Sequence, residues 1–149
     1  MVINQVFIMK DPLSLKNQLC FPIYALAKEV VNQYRPLLDE LDVTYPQYLV
    51  LMVLWDNEEQ TVGQLGEKLF LDSGTLTPLL KRMEQKEMVI RKRSSEDERI
   101  VKLSLTPKGM ALKEKAKSIP HRIMESIGIS QEELLILKEI TTKILNKKK

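Results

Sequence analysis

Residues 71–86, LDSGTLTPLLKRMEQK, and residues 89–109, VIRKRSSEDERIVKLSLTPKG, decide how this chain folds. In the first stretch, Leu71-Asp-Ser-Gly74 reads as a turn, and Thr75 to Lys86 as a helix with Leu76, Leu79, Leu80 and Met83 on one side. Thr75, Lys81, Arg82 and Gln85 are left facing solvent or a partner, and Pro78 falls in the first turns of the helix. After Glu87 the period changes from helical to alternating. Residues 89–93 and 100–105 are short β-like runs, the second alternating Val101, Leu103 and Leu105. The charged connection SSEDER (94–99) joins them as a hairpin. Thr106 and Pro107 then supply an N-cap and a first-turn proline for the next helix.

On the N-terminal side, Thr61-Val-Gly-Gln64 matches a capping box and opens a short helix to about Leu69. Asp42-Val-Thr-Tyr-Pro-Gln is a break, with Thr44 or Tyr45 as cap and Pro46 in the first turn of a helix through Trp55. That helix is apolar nearly all round, which places it centrally. From Ser14 to about Leu38, the residues Leu15, Leu19, Ile23, Leu26, Val30 and Tyr34 form one amphipathic stripe. Pro22 conflicts with a helix interior. Either the helix begins near Pro22 with Cys20 at its entrance, or a longer helix bends there. On the C-terminal side, Ser130-Gln-Glu-Glu133 is a second capping box. It starts a last helix whose apolar face is Leu134, Ile136, Leu137, Ile140 and Ile144, ahead of a lysine tail.

Helix, turn, helix, basic hairpin is the order of a winged helix-turn-helix, in a mainly α chain with a small β-hairpin. Such a unit presents its second helix to the major groove, where hydroxyls and guanidinium groups reach base edges and phosphates. An arginine at a hairpin tip can enter the adjacent minor groove. Arg99 is that arginine, and Asp97 can hold its guanidinium through a carboxylate pair. The plainer alternative is a solvated turn with an incidental ion pair.

Charge agrees with an anionic partner. Residues 1–60 carry four cationic and eight acidic side chains, whereas residues 73–109 carry nine cationic and five acidic ones, within a net charge of +3. The 149 residues are 44% hydrophobic and 29% charged, the balance of one globular unit. A single cysteine cannot form an internal disulfide. The N-terminus lacks the pattern of a signal peptide. The longest apolar run, residues 48–55, is far short of the roughly 20 residues of a membrane span. These features predict a cytoplasmic protein with no membrane partner. With His121 the only histidine and no phosphate-loop motif around Gly63 and Gly66, no catalytic residues, metal site or cofactor are expected.

The segments LDSGTLTPLLKRMEQK and VIRKRSSEDERIVKLSLTPKG closely resemble the MarR family of winged-helix transcription regulators, across most of the chain from about Leu15 to the last helix. Three motifs in register, QLCF (18–21), TYPQYLVLMVLW (44–55) and LDSGTLTPLLKRMEQ (71–85), resemble its organic hydroperoxide resistance regulators. The resemblance implies a homodimer formed through the first and last helices. About 14–40 and 107–149 would dimerise, and about 44–105 would bind double-stranded DNA at a pseudo-palindromic operator. It puts Ser73, Thr75, Thr77, Lys81 and Arg82 in the recognition helix, and Arg93, Asp97 and Arg99 in the wing.

The resemblance also gives Cys20 a role. Read without it, a lone cysteine in an apolar stripe is a small buried hydrophobe. In the resembled group the cysteine of QLCF is the sensor: an organic hydroperoxide oxidises it, and the dimer leaves its operator. The group's tyrosine pair falls on Tyr34 and Tyr45, which would reach the thiol from the partner subunit. With no second cysteine, Cys20 fits the one-cysteine type, which needs a low-molecular-weight thiol as co-reactant. Pro22 departs from the apolar residue expected after CF. Two further readings stand beside this one: a MarR-type regulator of broader oxidative or virulence genes, or one tuned to a phenolic ligand; and, from another class, a thiol peroxidase.

Overall fold

The structure is a computed structural model and describes residues 11–147. The N-terminal stretch read for a signal peptide, and the last two lysines of the tail, lie outside the described residues. The expected stripe from Ser14 divides in two. A 3-10 turn at Leu15–Asn17 precedes helix α1, Cys20–Asp39. Pro22 therefore sits in the first turn of α1, where its missing N–H has no intrahelical acceptor to lose. The helix starts at Cys20, as one of the two alternatives required. A second proline, Pro36, occupies the last turn.

Helix α2 spans Tyr45–Asp56, with Thr44 as N-cap and its N–H donating to Gln47 Oε1 at 3.0 Å. Tyr48, Val50, Leu51 and Leu54 are buried, and α2 packs against α1, and against helices α3 (Val62–Leu69), α4 (Ser73–Gln85) and α5 (Pro107–Ala116). The centrality expected from its all-round apolar surface is borne out. The Thr61–Gln64 capping box also forms, with both reciprocal hydrogen bonds present.

Helix α4 begins two residues earlier than the alternation of apolar residues suggested. Asp72 is the N-cap and accepts from the Thr75 N–H at 2.9 Å, so Ser73 and Gly74 are helical rather than part of the turn. Pro78 consequently falls in the second turn.

The hairpin strands are β2, Val89–Arg93, and β3, Val101–Leu105, paired antiparallel from Val89↔Leu105 to Arg93↔Val101. The sheet has a third strand that sequence reading missed: β1, Glu59–Thr61, pairs with the other edge of β3. Three residues of Glu-Gln-Thr carry no hydrophobic alternation, so the strand exists because β3 offers it a free edge. A further helix, α6 (Ile119–Ile127), also lay unread between the α5 start signal and the Ser130 box.

The described chain divides into two compact units after Lys117. In the second, α6 ends at Gly128 in the left-handed region, and α7 spans Gln131–Asn146 behind the expected Ser130–Glu133 box. Helix α7 buries none of its residues within the chain.

Within the first unit two glycines sit where backbone leaves no room for a side chain: a Cβ at Gly66 would lie 2.7 Å from the Leu71 carbonyl oxygen, and at Gly109 the approach is closer still. A Cβ added to Gly109 would lie 2.1 Å from the Met88 carbonyl oxygen, closer than any real contact. That carbonyl also accepts from the Thr106 N–H, while the Thr106 hydroxyl caps α5 through the Gly109 N–H. Gly109→Ala is expected to destabilise the fold by about 1–3 kcal/mol, the usual cost of forcing extra volume into a packed site. The midpoint of urea unfolding measures it.

Candidate DNA interface and thiol site

Helix α4 is built with two faces. Leu76, Leu79, Leu80 and Met83 are buried, and Ser73, Thr75, Thr77, Lys81 and Arg82 are all exposed. The hydroxyls near its N-terminus are held by local bonds. Thr75 Oγ1 donates to Asp72 Oδ2 at 2.9 Å, and Thr77 Oγ1 donates to the Ser73 carbonyl at 2.8 Å. Every recognition-helix residue expected from the sequence is thus exposed.

The wing supplies a second cationic element. The Ser94 N–H donates to the Ile100 carbonyl and the Ile100 N–H to the Asp97 carbonyl, which folds residues 94–100 into a tight loop. The Arg99 guanidinium pairs with both carboxylate oxygens of Asp97, at 3.1 and 3.2 Å, while its side chain stays 91% exposed. These bonds, with the Arg99 N–H at 3.0 Å, hold the Asp97 carboxyl below the usual carboxylate range. Arg93 Nη1 donates to the Glu98 carbonyl at 2.8 Å, bracing the loop from its other side.

The wing is tied to α4 by a contact the sequence did not announce. Arg91 Nε donates to Glu84 Oε2 at 2.8 Å, joining β2 to the helix near its C-terminal end. A cation on a strand and a carboxylate on a helix seven residues apart carry no local periodicity, so only the tertiary fold pairs them.

Cys20 is exposed, and it is the first residue of α1. Leu19 at the N-cap supplies no side-chain acceptor, so the N–H groups of the first turn are not capped by a side chain. The bland alternative of a buried core cysteine is therefore excluded for this chain on its own. Tyr34 and Tyr45 stack with ring centroids 4.6 Å apart and planes tilted by 49°. Tyr48 joins them at 6.0 and 6.5 Å. Burial, reinforced by the neighbouring phenols, pushes the Tyr34 hydroxyl up to about 12. Burial likewise raises Tyr45. Both phenols keep their protons at neutral pH, as an unshifted tyrosine also would, and so carry O–H groups able to donate. Fourteen residues of continuous helix separate Cys20 from Tyr34, about 21 Å at 1.5 Å per residue. The structure brings the two tyrosines together and holds the thiol of the same chain far from them.

A buried core helix, a polar recognition helix and an arginine-bearing wing define a winged helix-turn-helix DNA-binding regulator. The comparisons agree. A family model described as transcriptional regulator SarA/Rot matches residues 32–116. The organic hydroperoxide resistance transcriptional regulator of Bacillus subtilis (strain 168) is 56% identical over 86% of this chain and 87% of its own length. The HTH-type transcriptional regulator SarZ of Staphylococcus aureus is 44% identical over 80% of each chain. Among solved structures, reduced AbfR of Staphylococcus epidermidis bound to DNA superposes with a TM-score of 0.74 at 33% identity, covering 91% of this chain and 95% of the other. The chain belongs to the MarR family of winged helix-turn-helix transcription regulators, and within it resembles an organic hydroperoxide resistance regulator. These relatives are regulators of transcription rather than enzymes. Among the described residues, no helix is long and apolar enough to cross a membrane.

The capping carboxylate of α4 makes a pH prediction. Hydrogen bonds from Thr75, its backbone N–H first and then its hydroxyl, hold Asp72 below its ordinary value. A depressed folded-state value stabilises the fold fully above the ordinary carboxylate pKa, and the gain is lost as pH falls through the folded value. Thermal melts should therefore show Asp72→Ala less stable than the parent at pH 7, with the difference shrinking progressively below about pH 4.

Proposed function

We propose that this protein is a transcriptional repressor that senses organic hydroperoxides through Cys20 and then releases its operator. The observation that carries the reading is the separation along α1. A thiol at the uncapped start of a helix and a pair of protonated phenols about 21 Å along it complete one site only between two subunits. A homodimer in which each Cys20 meets the partner's tyrosine pair supplies that site. The apolar surfaces support such a dimer. Leu19 at the N-cap of α1, Ile23 and Leu26 on α1, and Ile136, Ile140 and Ile144 on α7, stay exposed in the single chain. In this reading about 14–40 and 107–149 form the dimer, and the region of about 44–105 engages a pseudo-palindromic operator. A regulator of this kind works in the compartment that holds the DNA, the cytoplasm.

The chemistry follows from the donors. The thiolate, not the thiol, attacks the peroxide bond. First-turn N–H groups of α1 and two phenol O–H groups favour the anion. Attack on the distal oxygen of ROOH breaks the O–O bond. Cys20 becomes a sulfenic acid, and the alkoxide leaves as the alcohol ROH after taking a proton. A low-molecular-weight thiol then displaces water from the sulfenic sulfur to give a mixed disulfide. The added bulk displaces the tyrosine pair, and the recognition helices lose the spacing the operator requires. Ser73, Thr75, Thr77, Lys81 and Arg82 contact the major groove, and Arg93 and Arg99, with Asp97 orienting Arg99, serve the wing.

Two measurements test this, using a duplex selected by the reduced protein from a random-sequence library. Cys20→Ser should bind it as the parent does and stay bound when cumene hydroperoxide and a small thiol release the parent. Release of Cys20→Ser by the same treatment overturns the sensor assignment. Arg99→Ala should weaken binding by roughly 5–150-fold, the 1–3 kcal/mol range of a specific contact, with sedimentation still showing a dimer. Equal affinity would remove the wing from the interface.

A further inference from the structure

A side-chain bridge joins the α1–α2 turn to the end of α4. Lys86, the residue that follows α4, sends its Nζ to two oxygens of Asp42: the backbone carbonyl at 2.7 Å and the carboxylate Oδ1 at 2.8 Å. Left-handed backbone occurs at one end of this bridge and beside the other. Asp42 is left-handed at φ 55°, a region that aspartate enters more readily than most residues. On the other side, α4 closes in a Schellman motif. The Met88 N–H donates to the Met83 carbonyl and the Glu87 N–H to Glu84, with Glu87 itself left-handed at φ 57°.

The turn that carries Asp42 is short and stiff. Leu41 and Val43 are buried, and the Leu38 carbonyl accepts from both of their N–H groups. Tyr45 opens α2 three residues after Asp42, and Tyr34 lies in α1 eight residues before it. Such a turn leaves little slack between the tyrosine pair and Asp42. The carbonyl of Lys86 is meanwhile bound by Lys108 Nζ at 2.7 Å, which ties the same residue to the first turn of α5. Asp42 is 80% exposed at its side chain, and an ion pair in that setting adds little stability. Its geometry, rather than its energy, is the feature to explain.

We propose that Lys86 and Asp42 are positioning residues, a joint that carries displacement of the tyrosine pair to the C-terminal end of the recognition helix. The inference rests on the hydroperoxide-sensing reading above and adds the residues that transmit it. Breaking the joint leaves α4 packed through its buried leucines, so the reduced protein still binds DNA. Movement of the α1–α2 turn then no longer tilts α4.

The test compares full-length parent, Lys86→Met and Asp42→Asn, each as the dimer, on the selected duplex before and after cumene hydroperoxide with a small thiol. Mass spectrometry follows Cys20 in the same samples. Asp42→Asn leaves the lysine charge and its carbonyl contact in place, so it separates the joint from any phosphate contact of Lys86. The expected result is equal oxidation of Cys20 in all three and near-parental affinity when reduced. The ratio of oxidised to reduced dissociation constants should fall at least about fivefold in Lys86→Met, the low end of ordinary allosteric coupling, and by less in Asp42→Asn. Release matching the parent in either variant overturns the joint. A parent that is oxidised yet stays bound overturns the sensing reading, and the joint with it.

Discussion

The Met88 carbonyl is the point on which the winged region is assembled. It accepts from the Thr106 N–H and lies so close to Gly109 that no side chain fits there. Around it meet the end of α4, the start of β2 and the first turn of α5. Trp55, at the end of α2, reaches the same place by donating its indole N–H to the Gly109 carbonyl at 3.0 Å. These bonds tie the segment that follows α4 to the start of α5 and to the end of α2. The end of α4 is therefore tied by residues that touch neither DNA nor thiol. Glu84 and Arg91 reinforce it from the outer side.

Helix α1 imposes the complementary constraint. A helix is a rod of fixed rise, so residues at its two ends cannot meet without breaking it. Cys20 stands at one end, and Tyr34 lies near the other, against Tyr45. Pro22 and Pro36 fall in the first and last turns, which leaves the span between them regular. The proline that seemed to threaten the helix marks its beginning instead. By lacking an N–H at the third position, Pro22 also leaves the first turn one donor short, with Cys20 and Phe21 keeping theirs.

Much of this was legible in the sequence because its signals are local. Thr61, Ser130 and Thr106 announce helix starts through side-chain oxygens that reach N–H groups three residues away, and all three caps form. The β2–β3 hairpin was legible from alternation. Strand β1 was not, since its hydrogen bonds go to β3 some forty residues later and its own residues show no pattern. Helix α6 was missed for a related reason: Ser118 caps nothing with its side chain, and Pro120 in the first turn was the only start signal. For the site, the exposed faces of α4 and the Asp97–Arg99 pair followed from spacing. The Arg91–Glu84 and Lys86–Asp42 pairs did not, because they join elements whose nearness only the fold creates.

The Asp97–Arg99 pair shows why a contact of small energetic worth can matter at an interface. An ion pair at the surface is screened, and holding two side chains in one geometry costs entropy. Here Asp97 spends its carboxylate on both the backbone N–H and the guanidinium of Arg99, so the loop is closed and the arginine aimed by the same group. An arginine entering a minor groove must otherwise give up its rotamer freedom on binding. With the carboxylate in place part of that ordering is complete beforehand. The acidic residue at the tip of a cationic wing is thus consistent with DNA binding, although its own charge opposes it.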